Sequence, residues 1–347
     1  MKIETLTPVH IGSGDNYLTV DFVLVGNRVV FIDALKFFQE VEKTANPIEV
    51  AQEIAKGNAS VKDFIEDLSK IKEYEVPFVG HKVRREILKH IKTNGKLYIP
   101  GSTIKGAIRT ALLWKAVKDD RSLLNKTIQL IKQKIENRKF IGRKELTRLD
   151  DELENIVFRK SRLTPKENDP KNDIFRVLKI TDTSPFEKCK VYEIKFLGMR
   201  NFSQLVECID YGDSAELDMG IDEYTLSFMD QKLDFDVISE ATREFAEEIV
   251  KTETNRYPER TKNEFRNVLK AKGIILRIGW GTGWYSSTIG TLLKTHPEFE
   301  SLRKSESLRK KLGLGRNPGT GRFSRNFPMI RRVTFDDRPL GWIAIHD

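Results

Sequence analysis

Near the end of the 347-residue chain, a mostly apolar run leads directly into a cluster of glycines, and this pairing restricts the folds open to the chain. Residues 274–278 read Ile-Ile-Leu-Arg-Ile, which is typical of a buried strand. Residues 279–285 follow as Gly-Trp-Gly-Thr-Gly-Trp-Tyr and predict a glycine turn. The fold must therefore cover this strand and allow a sharp turn at its carboxyl end.

A second glycine-rich segment, residues 312–325, carries arginines among its glycines. Ten Lys or Arg residues and one acid, Glu306, lie between Arg303 and Arg332. Glycines let a backbone approach a polyanion, and arginines supply forked donors to phosphate. A solvated flexible loop is the alternative, but glycines, arginines and aromatic residues together favour phosphate-backbone binding. The predicted contact residues in this segment are Gly315, Arg316, Gly319, Gly321, Arg322 and Arg325.

The charge of the whole chain agrees with an anionic partner. Its formal net charge is +9, which favours RNA, DNA or an acidic protein surface. The two cysteines, Cys189 and Cys208, form no CxxC pair, so neither a disulfide framework nor a zinc site is expected. No run approaches the ~20 apolar residues of a membrane span. We expect a cytoplasmic protein without membrane contact, metal or cofactor.

A strand–turn–helix motif occupies residues 97–113. Pro100 and Gly101 turn the chain, and Ser102 or Thr103 is predicted to cap the helix. A helix N-terminus attracts anions, and Lys105 and Arg109, four residues apart, share one face near it. An ordinary strand–turn–helix with surface cations is an equally good interpretation.

Neither glycine-rich motif is a nucleotide-cofactor site. Gly101 and Gly106 have the spacing of a phosphate-binding loop, but Ala107 and Ile108 replace the required Lys and Ser or Thr. The glycine spacings at 281–286 and 313–319 also miss the dinucleotide fingerprint.

Elsewhere, hydrophobic periodicity predicts a mixed fold. A strand is expected at residues 2–7, a tight turn at Gly12 and Gly14, and a hairpin at 21–32. The other predicted helices lie at residues 34–42, 61–71, within 115–160 and within 235–272, the last with a break at Pro258. The other predicted strands lie at 97–99, 175–180, 191–196, 223–229 and 341–345. Residues 83–91 fit either a strand or a helix. Antiparallel α+β sheets with helices on one face fit this order best.

Three further features have open interpretations. His10, inside Pro-Val-His-Ile-Gly, is either a general acid–base or a hydrogen-bonding turn residue. Trp284 can stack bases or belong to the core, whereas Trp280 is expected in the core because a strand precedes it. The third feature is a small basic cluster next to His81, formed by Lys82, Arg84 and Arg85.

The motifs at 6–14 and 98–109 and the Gly/Arg-rich loop at 312–325 together resemble the RAMP superfamily of CRISPR proteins. Within it, the segments 277–284 and 312–319 resemble the family of the fifth subunit of the type III-A Csm complex. The resemblance implies two ferredoxin-like domains related to RNA-recognition modules, with the second degenerate. We place the first at residues 1–185, with a helical insertion at about 115–165, and the second at 186–347, where it ends in the Gly/Arg-rich loop.

The resemblance also implies a function. It predicts a non-catalytic subunit that caps the backbone filament near the guide RNA 3′ end and assists guide maturation. The implied partners are guide RNA, the repeated RAMP backbone subunit and the small helical subunit, with target RNA and host nucleases as further candidates. Lys105, Arg109 and the loop at 315–325 would contact the guide. Asp15 and Asp21 follow the His-Ile-Gly segment, but neither clearly matches the target-cutting aspartate of backbone subunits.

Two alternatives stay open at this stage. A metal-independent endoribonuclease would use His10 as general base, with Lys105 or Tyr17 as its partner. An adaptor for acidic proteins would explain the charge but not the glycines.

Overall fold

A computed structural model describes residues 1–81, 85–136, 151–161, 163–166, 168–199, 202–306, 309–310, 313–317, 320–324 and 327–347. Strands and helices are mixed along these ranges, which confirms the predicted α+β class. The division into two ferredoxin-like domains stays a prediction.

The strands are short and build two larger sheets. Their bounds are β1 (Lys2–Thr5), β2 (Gly12–Leu18), β3 (Phe22–Val25), β4 (Arg28–Ile32), β5 (Lys72–Val79), β6 (Glu86–His90), β7 (Lys92–Thr93), β8 (Lys96–Leu97), β9 (Leu178–Ile180), β10 (Cys189–Leu197), β11 (Ser203–Ile209), β12 (Ser214–Glu216), β13 (Met219–Ile221), β14 (Ile274–Arg277), β15 (Arg331–Thr334) and β16 (Trp342–His346).

The helices include two long ones that cover a sheet. The helices are α1 (Ala34–Val41), α2 (Pro47–Lys56), α3 (Gly101–Asp119), α4 (Arg121–Glu136), α5 (Asp151–Phe158), α6 (Glu223–Leu226), α7 (Phe235–Glu253), α8 (Glu259–Val268), α9 (Gly290–Thr295) and α10 (Pro297–Lys304). Helices α4 and α5 lie within the helical stretch predicted at 115–160, and the break between α7 and α8 lies near Pro258 as predicted. That α4 and α5 belong to an insertion stays a prediction.

The two ends of the chain meet in a four-stranded antiparallel sheet of order β12-β1-β16-β14. Ile3 of the first strand pairs with Ile345 of the last, and Ile274 of β14 pairs with Ile345 from the other side. Both long helices, α3 and α7, pack against β14. Their apolar faces and this sheet form the main core, which includes Ile104, Ile108 and Ile238.

The eight-stranded sheet is mixed. Its order is β2-β6-β11-β10-β5-β4-β3, and β15 pairs with β10 beyond the end of β5. The β10–β5 and β11–β6 pairs are parallel, whereas the other pairs are antiparallel. Because β10 is bordered by three other strands, it lies in the middle of the sheet and carries residues into two separate apolar clusters.

Two predicted elements are wrong, for local reasons. Residues 61–71 form two 3₁₀ turns instead of one helix. Ser60 and Asp63 form a capping box at the first turn, but the Asp67 carboxylate accepts from Ser69 N and so begins a second turn. Such side-chain bonds compete with helical ones. Residues 223–229 begin as the short helix α6 instead of a strand, because Asp222 accepts from Thr225 N and so caps a helix.

Three other sequence interpretations change. The predicted tight turn at Gly12 and Gly14 is the start of strand β2, in which only Gly14 has a positive φ, +94°. The periodicity did not reveal helix α2. It also missed strand β11, whose buried acid Glu207 interrupts an apolar pattern.

The glycine turn after β14 contacts the backbone of the N-terminal segment. Gly279 has φ +80°, and a Cβ added there would lie 2.3 Å from the His10 carbonyl oxygen. The next residue, Trp280, donates its backbone N–H to the same oxygen at 2.9 Å. Gly279 therefore allows close packing inside the protein. It does not serve the approach of a ligand to the backbone, which the cluster of glycines had suggested.

A matched pair of glycines tests this packing. Gly279 and Gly283 both have positive φ, but a Cβ at Gly283 would meet nothing within 4 Å. We expect Gly283→Ala to lower the free energy of unfolding by about 1–2 kcal/mol, the cost of the left-handed conformation alone. Gly279→Ala should cost at least about 2 kcal/mol more, because the His10 backbone must move. Urea unfolding of both variants measures the difference, and equal losses would contradict the close contact.

Candidate nucleic-acid interface

The N-terminus of α3 begins earlier than predicted and already has an anionic partner. Pro100 is the N-cap residue and no side chain of the predicted capping pair caps the helix, so the predicted cap at Ser102 or Thr103 is wrong. Instead the Asp182 carboxylate accepts from Gly101 N at 2.9 Å. Gly101 packs tightly, since a Cβ there would lie 2.5 Å from the Ile180 and Thr181 carbonyl oxygens. Ser102 is exposed and Thr103 half-buried.

The two cations on α3 have different surroundings. Lys105 Nζ donates to the Leu178 carbonyl oxygen at 2.7 Å and is half-buried. Arg109 instead joins three elements, with its guanidinium 2.8 Å from Glu154 Oε2 and 2.9 Å from Asp173 Oδ2. The same guanidinium lies over the rings of Phe158 and Phe175.

These contacts make Arg109 part of the packing between α3, α5 and the turn at Asp173. Burial raises the pKa of the Asp173 carboxyl, but the hydrogen bonds and charge of Arg109 outweigh burial and hold that pKa below its usual value. The sequence analysis expected Lys105 and Arg109 to be surface cations on one face. That description fits Lys105 better than Arg109, whose contact with RNA stays a prediction.

The Gly/Arg-rich loop has an ordered local structure in its described part. Arg316 and Phe323 form a β-bridge, and Ser324 N donates to the Gly315 carbonyl oxygen at 2.9 Å. Gly315 has φ +72°, and a Cβ there would lie 2.8 Å from the Ser324 oxygen, so this position needs glycine. Gly321, φ +68°, faces open space. Gly319 and Arg325 lie outside the described residues.

Arg316 and Arg322 of this loop are exposed. Neither guanidinium has a hydrogen bond or an ion pair with the described part of the chain, unlike Arg109. Two exposed forked donors on an ordered turn are suited to bind phosphate oxygens.

The structure describes the surroundings of two of the remaining predicted contact residues, Arg85 and Trp284. Arg85 is exposed, and its guanidinium lies next to Gly57, whereas Lys82 and Arg84 lie outside the described residues. Trp284 is half-buried against Phe299, Phe327 and Gly290, so the structure gives it a packing role. Base stacking by Trp284 stays a prediction.

His10 is buried, with 2% of its surface exposed. Its Nδ1 lies 2.6 Å from the Glu207 carbonyl oxygen, and its ring packs edge-on against those of His90 and Trp280. The ring does not face solvent, so it is not placed to take a proton from a bound RNA. The structure therefore favours the hydrogen-bonding interpretation of His10 over the general-base interpretation.

Next to His10, a buried polar network surrounds the Glu207 carboxylate. Lys92 Nζ lies 2.7 Å from Glu207 Oε1, and Tyr74 OH donates to the same oxygen at 3.1 Å. Tyr17, the proposed nuclease partner of His10, hydrogen-bonds Tyr74 and Lys92. These residues pair with each other and hold β5, β2 and β11 together.

Sequence reasoning missed Arg332. Its guanidinium lies 4.9 Å from the Trp280 ring centroid and 5.0 Å from that of Phe196, although these three residues are far apart in the sequence. Only the position of Arg332 at the end of the basic 303–332 segment could have drawn attention to it.

The described helices include none that is both long enough and apolar enough to cross a membrane. The described side chains also include no group of three or more His, Cys, Asp or Glu positioned to hold a metal ion.

Comparison with known proteins gives matches along the whole chain. The family model described as the RAMP superfamily matches residues 2–286. A protein named CRISPR system Cms protein Csm5 from Methanocaldococcus jannaschii is 24% identical over 393 residues, covering 99% of this chain and 88% of the relative. Its namesake from Streptococcus thermophilus is 25% identical, covering 54% of this chain and 52% of that protein.

Solved structures give the same result. One chain of a cryo-EM structure of a Csm–crRNA–target RNA ternary complex, from a type III-A CRISPR–Cas system, superposes with a TM-score of 0.77 at 26% identity. That match covers 99% of both chains. The crystal structure of T. onnurineus Csm5 gives a TM-score of 0.73 at 24% identity, covering 99% of this chain and all of that one, and supports the fold alone. The resemblance predicted from the motifs is confirmed.

The Arg109 contacts lead to a stability prediction. Arg109→Ala leaves two partly buried carboxylates without this partner, so we expect the free energy of unfolding to fall by about 2 kcal/mol. Arg316→Ala, which removes an exposed arginine without a partner in the described chain, should change it by less than about 0.5 kcal/mol. Thermal and urea unfolding measure both changes. An Arg109→Ala variant as stable as the wild type would show that these ion pairs do not hold α5 against α3.

Burial of the two histidines leads to a pH prediction. Burial lowers the pKa of His10 to about 4 and that of His90 to about 3, against opposing hydrogen bonds to backbone carbonyls. Below the usual histidine pKa of ~6.5, the unfolded chain therefore binds more protons than the folded one. The free energy of unfolding then decreases as the pH is lowered. Each histidine should contribute a loss of up to about 1.4 kcal/mol per pH unit.

The slope can be measured between pH 6.5 and 5, where most carboxylates remain ionised. His10→Asn keeps a donor for the Glu207 carbonyl but cannot titrate, so it should remove about half of the slope due to histidine. An unchanged slope in this variant would mean that folding does not lower the pKa of His10.

Proposed function

The chain belongs to the RAMP superfamily, and on that premise we propose that it is a non-catalytic, RNA-binding subunit of a type III-A CRISPR (Csm) effector complex. The observation that carries the proposal is the full-length similarity to a chain of a Csm–crRNA–target RNA complex. The relatives named Csm5 support the same subunit. A role in CRISPR defence follows from this assignment.

We assign the chain to one end of the complex. In this proposal it caps the filament of repeated RAMP backbone subunits near the guide RNA 3′ end, next to the small helical subunit, and assists guide maturation by bringing in or positioning host nucleases. Target RNA is a further partner. A cap needs a surface for the guide backbone and no catalytic group of its own.

The RNA-binding surface of this proposal has two parts. The loop supplies Arg316 and Arg322, whose donors are free within the described chain and reach solvent. The N-terminal turn of α3 supplies Ser102 and Lys105, which are at least partly accessible. Arg109 supports the second part by fixing α3 against the insertion.

The second candidate function, metal-independent RNA cleavage by His10, is not favoured. A general base must reach the proton that it removes. His10 is 2% exposed, and one ring nitrogen is engaged with a backbone carbonyl. The low pKa of about 4 leaves the ring neutral, but burial keeps it from a substrate.

Affinity for single-stranded RNA tests the binding role. We expect a log–log salt slope of about −0.7 per phosphate contacted, so Arg316→Ala with Arg322→Ala should reduce the slope by about 1.4 and lower affinity at fixed salt. The control is Arg266→Ala on α8 with Lys270→Ala just beyond the end of that helix. It removes the same charge from exposed side chains whose polar partners in the described chain are residues of α8, and it should leave the slope nearly unchanged.

Three outcomes would count against the proposal. A flat salt response of the wild type would exclude phosphate binding. If assembled complexes that carry the Arg316/Arg322 change still retain full-length guide, the guide does not bind at this loop. Site-specific cleavage of repeat RNA without metal, lost in His10→Ala, would favour the nuclease.

A further inference from the structure

Arg332 is held in a fixed position at the junction of β10, β15 and the glycine turn. It pairs with Phe196 across the β10–β15 ladder, on which its side chain lies. Trp280 covers it from the glycine turn, with the guanidinium carbon 4.9 Å from the ring centroid. Two aromatic rings from different segments therefore hold one guanidinium group.

This guanidinium has no counter-charge in the described part of the chain. Its Nε is buried without a hydrogen-bond partner, and the residue as a whole is half-buried. Burial lowers the pKa of Arg332, and no carboxylate opposes this effect. An arginine nevertheless stays protonated in proteins, so the charge must be balanced by water or by a ligand.

Other shielded arginines of the described chain contrast with Arg332. Arg277 and Arg331 share the buried Glu253 carboxylate, at 2.8 and 3.0 Å. Arg309 donates to the carbonyl oxygens of Arg303 and Lys304, both at 2.7 Å. Each of these three groups also keeps a buried nitrogen without a hydrogen-bond partner, but each has a carboxylate or a carbonyl acceptor elsewhere on its fork. Arg332 differs because no part of its guanidinium has an acceptor in the described part of the chain.

The surface beside Arg332 is aromatic. Phe202 is 42% exposed and packs edge-on against Phe196, with ring centroids 4.8 Å apart. Met329, which lies shortly before Arg332 in the sequence, is 38% exposed. A fixed cation beside an exposed ring offers a phosphate oxygen one contact and an unpaired base another.

We propose that Arg332, Phe202, Phe196 and Trp280 form a binding site for one nucleotide of single-stranded RNA. The Arg332 fork binds its phosphate, and the exposed Phe202 ring stacks on its base. This inference rests on the proposed RNA-binding function and adds a site apart from the Gly/Arg-rich loop.

The charge of the site favours RNA over a protein partner. An apolar protein anchor would bury Arg332 without neutralising it, which is costly. An RNA strand brings a phosphate with each base, so one ligand satisfies both the cation and the ring. Duplex RNA keeps its bases stacked and offers no free base face to Phe202.

The test uses the full chain, a fluorescently labelled single-stranded RNA, and the same RNA annealed to its complement. We expect Arg332→Gln and Phe202→Ala each to lower affinity for the single strand about tenfold, with a smaller effect on the duplex. Arg332→Gln should also reduce the salt slope by about 0.7. Phe202→Trp keeps an aromatic face and should bind like the wild type.

Controls separate this site from the proposed function and from folding. Arg266→Gln removes an equal charge from an exposed position on α8 and should leave affinity unchanged. Wild-type affinity in both Arg332→Gln and Phe202→Ala would overturn the site while RNA binding by the chain stands. No RNA binding by the wild type would overturn the proposed function itself. If Arg332→Gln alone weakens binding and also changes the near-ultraviolet circular dichroism, Arg332 is structural and the site is overturned.

Discussion

The backbone contact between Gly279 and His10 fixes the relation between the two ends of the chain. The Trp280 N–H donates to the His10 carbonyl, and no side chain fits at Gly279. Beside this contact, β1 pairs with β16 and β16 with β14. The glycine turn therefore cannot move away from the N-terminal segment without opening the sheet. Its position in turn determines where Trp280 lies, and thus which ring covers Arg332. The Gly279–His10 contact thus helps to position the surface around Arg332, which is built from three segments distant in sequence.

Periodicity predicted the elements whose partners are simple apolar surfaces. Helices α3 and α7 show regular apolar spacing because each covers the same sheet with one face. The hairpin of β3 and β4 was visible because Gly26 and Asn27 mark its turn. Periodicity was misleading where an aspartate side chain starts a new turn, as at Asp67 and Asp222. Sheet order was beyond it as well, because Lys2 pairs with His346 at the opposite end of the chain.

The RNA contacts predicted from the sequence stay predictions, but the exposure of a side chain could be foreseen where it depends on one segment. Arg316 and Arg322 are exposed on an ordered loop, as a phosphate contact requires. The contacts of Arg109 could not be predicted from its own segment. Its neighbours Glu154 and Asp173 lie 45 and 64 residues away, and their approach to α3 leaves no sign in the motif itself. The burial of His10 could not be predicted from the neighbouring sequence either, because the residues that cover it come from β11 and the glycine turn.

The formal charge of +9 is therefore a poor measure of the surface that meets a polyanion. Arg277 and Arg331 share one buried acid, so they add little to the field outside the protein. Lys115 and Lys118 are similarly paired with Glu244. Counterion release on RNA binding depends on cations that are accessible and not already neutralised. The fold pairs Arg277 and Arg331 inside, and it leaves Arg316, Arg322 and Arg332 near the glycine segments without a carboxylate in the described part of the chain. The proposed phosphate contacts depend on these unpaired cations more than on the total charge.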